Sequence, residues 1–151
     1  MWTNHVIMPE LSYEIEKRYK MFQFLKLFLI NAVIFLILDS LWLVFTHKKF
    51  YQPNIGHLMG QTKLLPAVIF YLIYVAALVF FVLVPGQEKE SLPYVLLAGA
   101  FFGAVCYATY DLTNLATLSG WPLKITIVDM IWGSFVTSLS AILTYIIAAK
   151  L

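Results

Sequence analysis

Charge is scarce in this sequence. Only 12% of its residues are Asp, Glu, Lys or Arg, while 62% are hydrophobic; a soluble domain carries about a quarter charged. With 151 residues and a mean hydropathy of +0.84, the chain cannot clothe a water-facing surface, which excludes a soluble globular fold. Cysteine is nearly absent as well. The single Cys106 rules out an internal disulfide and, lying within an apolar run, reads as a small buried residue. Histidine is confined to His5, His47 and His57, all outside the apolar runs, and the separation of His47 from His57 fits no metal-ligand pattern. There is no Gly-x-Ser-x-Gly elbow, no phosphate-binding glycine loop and no Cys–His pair in reach. No cofactor and no metal are expected. A net charge of +2, thinly scattered, argues against a nucleic-acid partner.

Four long apolar stretches stand where the charge is missing, each near the roughly 20 residues that cross a bilayer as a helix. The expected fold class is an all-α membrane protein, a four-transmembrane-helix antiparallel bundle over residues 21–151 with a short N-terminal extension. Its spans are expected at about 22–46, 65–84, 92–112 and 125–149. Residues 1–20 carry Glu10, Glu14, Glu16, Lys17, Arg18 and Lys20, with Leu11, Ile15 and Tyr19 at helical spacing. They read as an interfacial amphipathic helix, a frayed tail, or an upstream extension with Met21 as the natural start. The apolar run that follows is too long for a cleaved signal peptide and has no small-residue cleavage site.

Proline punctuates the chain. Pro66, Pro93 and Pro122 mark three helix starts, and Pro85-Gly86 is expected to end the second span. The short link from Gln87 to Ser91 makes helices two and three antiparallel neighbours. The longer connection from His47 to Leu64 has room for a re-entrant or surface segment of its own. Lys26 sits in the first turns of the first span, from where its amine can reach back to the interface. Four spans put both termini on one side with Lys17, Arg18, Lys20, Lys26, Lys89 and Lys150. The other side holds Lys48, Lys49, Lys63 and Lys124. That excess favours cytoplasmic termini.

Three aspartates fall in or beside the spans: Asp39, Asp111 and Asp129. Each costs about 2.5–3.5 kcal/mol at a helix centre and less towards the ends, so each needs a reason. Asp39 lies roughly 10 Å from the end of its span, Asp129 roughly 8 Å inside its own, and Asp111 is expected at the end of the third. Alternating helix direction brings all three into one half of the bilayer, together with Tyr71 and Tyr74. Helical spacing pairs Asp39 with Trp42, Asp129 with Trp132, and Asp111 with Tyr107 one turn deeper. Indole N–H and phenol O–H groups are the donors that a carboxylate needs where no cation is near. Tyr110, Thr113, Asn114 and Trp121 flank Asp111 where the third span meets its loop. The expectation is a polar pocket open to one membrane face and ringed by aromatic side chains. On the third helix, Gly99-Ala-Phe-Phe-Gly103 and Ala104 form a small-residue stripe for close helix packing, within the bundle in preference to a homo-oligomer.

Leu38-Asp-Ser-Leu-Trp-Leu43, Phe50-Tyr51, Phe70-Tyr-Leu-Ile-Tyr74, the run from Tyr107 to Leu118, Trp121-Pro122 and Asp129-Met-Ile-Trp-Gly133 together resemble the DUF2177 family of small bacterial membrane proteins. The resemblance spans about Phe22 to Leu151, and the run Tyr110-Asp-Leu-Thr-Asn-Leu-Ala-Thr117 is its most specific part. It implies a bacterial inner-membrane protein and supplies no reaction. From the residues, the favoured function is binding or transport of a small polar or amphipathic ligand. In that reading Asp39 and Asp129 are the titrating or cation-binding groups, and Asp111 and Asn114 are contacts at the entrance. Transport through four helices would call for an oligomer. The alternatives are a membrane enzyme acting on a lipid or isoprenoid through an aspartate acid or base, and a structural or accessory subunit clasped by its aspartates and tryptophans.

Overall fold

The computed structural model describes residues 4–151, with side chains from Glu10 onward; Met1 to Thr3 and the side chain of His5 lie outside the described residues. The described chain is helical, without strands. Four long helices make the bundle: α1 Asn4–Thr46, α2 Leu64–Glu88, α3 Leu92–Thr117 and α4 Leu123–Ala148. All four are long and apolar enough to cross a membrane. The chain is an integral membrane protein with four spanning helices. Their outer faces carry Leu29, Val33, Ile37, Ile73, Phe101 and Ile131 exposed. Against lipid these cost nothing, because lipid tails are as apolar as the side chains.

Since hydrophobic burial gives little driving force inside a bilayer, close packing and polar contacts must hold the bundle. The tightest interface is α3 against α4. Gly99 and Gly103 are buried there, with Ser138 Cα 3.1 Å from where a Cβ on Gly99 would stand. A Cβ on Gly103 would run into the carbonyl of Gly133, and one on Gly133 into the ring of Tyr107. The small-residue stripe is therefore spent inside the bundle. Ser134 and Ser138 add hydroxyl bonds to the α3 carbonyls of Ala100 (2.7 Å) and Leu96 (3.0 Å).

Helix α4 is the hub, also running antiparallel to α1. Lys26 Nζ caps the end of α4 at the Ala148 carbonyl (3.1 Å), and Asn31 Nδ2 donates to Thr144 Oγ1 (3.0 Å). Helix α2 fills the remaining side, with Val75, Leu78, Val79, Val82 and Leu83 buried beside Leu27 and Val95.

Two expected helix ends are corrected. Pro85-Gly86 does not end α2, which runs to Glu88. A π-helical turn over Val79–Leu83 ends two residues before the proline and includes Phe81, whose carbonyl its ring would meet. Tyr94 Oη donates to the Phe81 carbonyl (3.4 Å), the acceptor that Pro85 cannot reach. The third helix does not stop at residue 112 but continues to Thr117. Thr109, Thr113 and Thr117 each turn a hydroxyl back onto the carbonyl four residues earlier, so these polar residues do not break it. The N-terminal extension is helical and continuous with the first span: 43 residues of helix, about 65 Å, reach well beyond a hydrocarbon core of about 30 Å.

The α3–α4 contact yields a graded test. Gly103→Ala should destabilise the protein by about 1–3 kcal/mol, and Gly99→Ala by distinctly less, in unfolding measurements on the detergent-solubilised chain. Equal effects would mean that the helices do not meet at Gly103.

Candidate functional site

The corrected helix ends sharpen the depth of the aspartates. Asp39 lies seven residues before the end of α1, Asp111 six before the end of α3, and Asp129 six after the start of α4. At 1.5 Å per residue, all three sit roughly 9–10 Å from the same ends of their helices. They form one layer. All are buried, Asp111 completely.

Two of the three have side-chain donors. Asp39 accepts from Tyr71 Oη on α2 (2.5 Å) and from Trp132 Nε1 on α4 (3.3 Å). Asp129 accepts from Tyr51 Oη (2.5 Å), and that hydroxyl accepts in turn from Trp42 Nε1 (2.9 Å). Trp42 and Trp132 stack nearly parallel, centroids 4.3 Å apart and 9° between planes, which ties the two chains of bonds together. One turn deeper, Tyr74 meets Thr137 Oγ1 at 2.6 Å; because the threonine hydroxyl donates to the Gly133 carbonyl, Tyr74 is the donor of that pair. Phe35 packs between Tyr71 and Tyr74. No arginine or lysine pairs with any of the three aspartates among the described residues, so phenols and indoles are their solvation.

Asp111 is different. Neither carboxylate oxygen has a hydrogen-bond partner among the described residues, although the residue has no exposed surface. Asp129 lies at the same depth on the neighbouring α4. A buried acceptor left unmade costs about 1–3 kcal/mol, and more if charged.

The layer is roofed on its loop side. Trp121, Tyr51, Ile55 and Ile125 form a buried cluster with Trp42, Phe50 and Leu115 against it. Trp121 Nε1 donates to Thr126 Oγ1 (3.1 Å), and its ring meets Tyr110 edge-on at 5.7 Å. Gly120 turns the chain with φ +82° and lies beside His57 of the α1–α2 connection. The two loops thus close over the aspartates.

Of the twelve residues expected at the site, the layer and its roof gather Asp39, Trp42, Tyr71, Tyr74, Tyr107, Asp111, Trp121, Asp129 and Trp132. Tyr110 and Thr113 point outward, Thr113 bonded to its own helix, and Asn114 is half-buried at the margin. The aromatic ring expected around an open pocket instead closes onto the carboxylates as donors. Cys106 is half-buried against the cluster of Phe35, Tyr74 and Val136. Among the described residues, no three His, Cys, Asp or Glu side chains converge as metal ligands would.

Tyr51 is the residue that sequence reasoning missed. It stands nine residues after Trp42, about two and a half turns along an α-helix and so on the opposite face. A π-helical turn over His47–Tyr51 shifts the phase and swings its hydroxyl inward. The aromatic pair Phe50-Tyr51 in a lysine-bearing connection was the available signal.

Replacing Tyr51 by Phe removes the donor to Asp129 and the acceptor of Trp42 together. A loss of about 1–3 kcal/mol is expected, larger than for Tyr71→Phe, where Trp132 still serves Asp39. Thermal unfolding of the two variants would show it; a Tyr51→Phe protein as stable as the parent would remove Tyr51 from the layer.

No curated protein and no solved structure matches this chain. A family model described as a predicted membrane protein (DUF2177) matches residues 24–146, which include every residue of the layer and its roof. The chain belongs to the DUF2177 family of predicted membrane proteins.

Proposed function

We propose that the protein binds a proton or a small cationic, hydrogen-bond-donating ligand inside the membrane, at Asp111. One observation carries this reading: Asp111 is wholly buried and both its oxygens lack a donor. Either the carboxyl carries its own proton or a ligand supplies the missing donors; both make it an exchangeable site. The neighbouring carboxylates favour a positive guest. Asp39 and Asp129 give the layer three acids and no cation, and an intramembrane acid of this kind is by default a site for protons or cations. Access runs through the roof, where Trp121 and the Gly120 turn are the parts with least helix around them. On this reading the role moves from Asp39 and Asp129, which already have donors, to Asp111, which has none. The protein resides in the bacterial inner membrane with both termini cytoplasmic, as the excess of Lys and Arg at that end favours; the layer then faces the outer half of the bilayer.

A second reading belongs to Asp39 and Asp129. Their bonds to Tyr71, Trp132 and Tyr51 make them a clasp between α1, α2 and α4.

The two roles separate by substitution. Asp111→Asn keeps the side-chain volume, and its stability should stay within about 0.5 kcal/mol of the parent, the range of changes that break no native contact. Asp39→Asn and Asp129→Asn should each lose about 1–2 kcal/mol. The parent in detergent should show the infrared C=O band of a protonated carboxyl, or gain stability with methylammonium or sodium chloride, and Asp111→Asn should lose that response. An unchanged response in Asp111→Asn, or one abolished only by Asp39→Asn, would refute the assignment.

A further inference from the structure

At the end of the bundle opposite the aspartate layer, a groove of ≈ 790 Å³ opens between α1, the end of α2 and the end of α4. Its floor is apolar, formed by Phe24, Leu27, Phe80 and Val84. Its rim is charged with both signs. Lys20 and Lys26 stand on α1, while Glu88 at the end of α2 and Glu90 in the turn after it face them. Glu16 is already occupied, its carboxylate 2.7 Å from Lys20 Nζ. Lys26 gives one of its donors to the Ala148 carbonyl and retains others, since an ammonium has three.

Depth fits a lipid headgroup. These residues flank the first turns of the membrane-crossing part of α1 and the end of α2, the level at which an interface meets the hydrocarbon. The apolar floor continues inward from the charged rim, as an acyl chain continues from its headgroup. The charges then choose among headgroups. Two lysines suit a phosphate, but three lining glutamates outnumber them, so a purely anionic headgroup meets more repulsion than attraction. A headgroup with a phosphate and an amine matches both sets.

The wall also holds a buried acceptor with no donor. Gln23 Nε2 donates to Tyr19 Oη (2.7 Å), while Gln23 Oε1 is buried and unpartnered among the described residues. A primary ammonium has N–H groups for such an acceptor and for carboxylates. A quaternary ammonium has none.

We infer that this groove binds a phospholipid with a primary-amine zwitterionic headgroup of the ethanolamine type, the phosphate at Lys20 and Lys26 and the ammonium at Glu88, Glu90 and Gln23. The inference does not rest on the Asp111 site, from which it is separated by the thickness of the bundle.

The full chain in detergent, titrated with phosphatidylethanolamine, phosphatidylcholine or phosphatidylglycerol of identical acyl chains, provides the test. Phosphatidylethanolamine should raise the melting temperature by about 2–4 °C, and the other two by distinctly less. The rim variant Glu88→Gln/Glu90→Gln, whose exposed positions leave the fold intact, should lose the advantage of ethanolamine over choline. Gln23→Leu should reduce it, and Asp111→Asn should retain it. Equal shifts from ethanolamine and choline lipids, an equal or larger shift from phosphatidylglycerol, or an ethanolamine advantage that survives in the rim variant would each overturn the inference.

Discussion

A carboxylate taken into a bilayer must be solvated by the protein or not at all. That constraint organises the loop-side half of this bundle. With no arginine or lysine engaged at that depth, the donors come from phenols and indoles, which have apolar bodies and a single polar tip. Such side chains can fill the space between helices as hydrophobes do and still deliver a hydrogen bond at one point. The result ties α1, α2 and α4 through Asp39 and Asp129. Net polar contacts between membrane helices are modest, averaging about 0.6 kcal/mol. Their main effect here is to fix which residues face one another along the antiparallel pair of α1 and α4, from Lys26–Ala148 through Asn31–Thr144 to Asp39–Trp132.

Helix α3 is held by a different device. Gly99, Gly103 and Gly133 let it approach α4 until backbone meets backbone, with Tyr107 seated over Gly133. It therefore enters the layer by steric fit, without contributing a donor to the network. This is why its aspartate can be left over. The division of labour between clasped and unclasped carboxylates follows from how each helix is attached.

Much of this was legible in the sequence because membrane helices obey simple counting. Spans followed from apolar length, three helix starts from proline, and the common depth of the aspartates from rise per residue and alternating direction. The Asp39–Trp42 and Asp129–Trp132 pairings placed the right aromatics in the layer but crossed their partners: Trp132 serves Asp39, and Trp42 serves the hydroxyl that bonds Asp129. Spacing within one helix reports a shared face and cannot report which neighbour lies across from it. The π-helical turns were invisible for a related reason. One relieves Pro85 within its own helix and the other delivers Tyr51 across the bundle, and neither leaves a change of periodicity in so few residues. Nor could the sequence show that Asp111 has no donor, since that is a property of every side chain around it at once.

The face-to-face tryptophans have a consequence outside energetics. Two indoles stacked nearly parallel at 4.3 Å share their electronic excitations, so the near-ultraviolet circular dichroism acquires a contribution that neither ring has alone. One ring is joined to each clasped aspartate, directly through Trp132 and through Tyr51 for Trp42. The intensity of that signal is thus set by how the two carboxylates stand relative to one another. The protein carries, without any label, an optical gauge of its own buried layer.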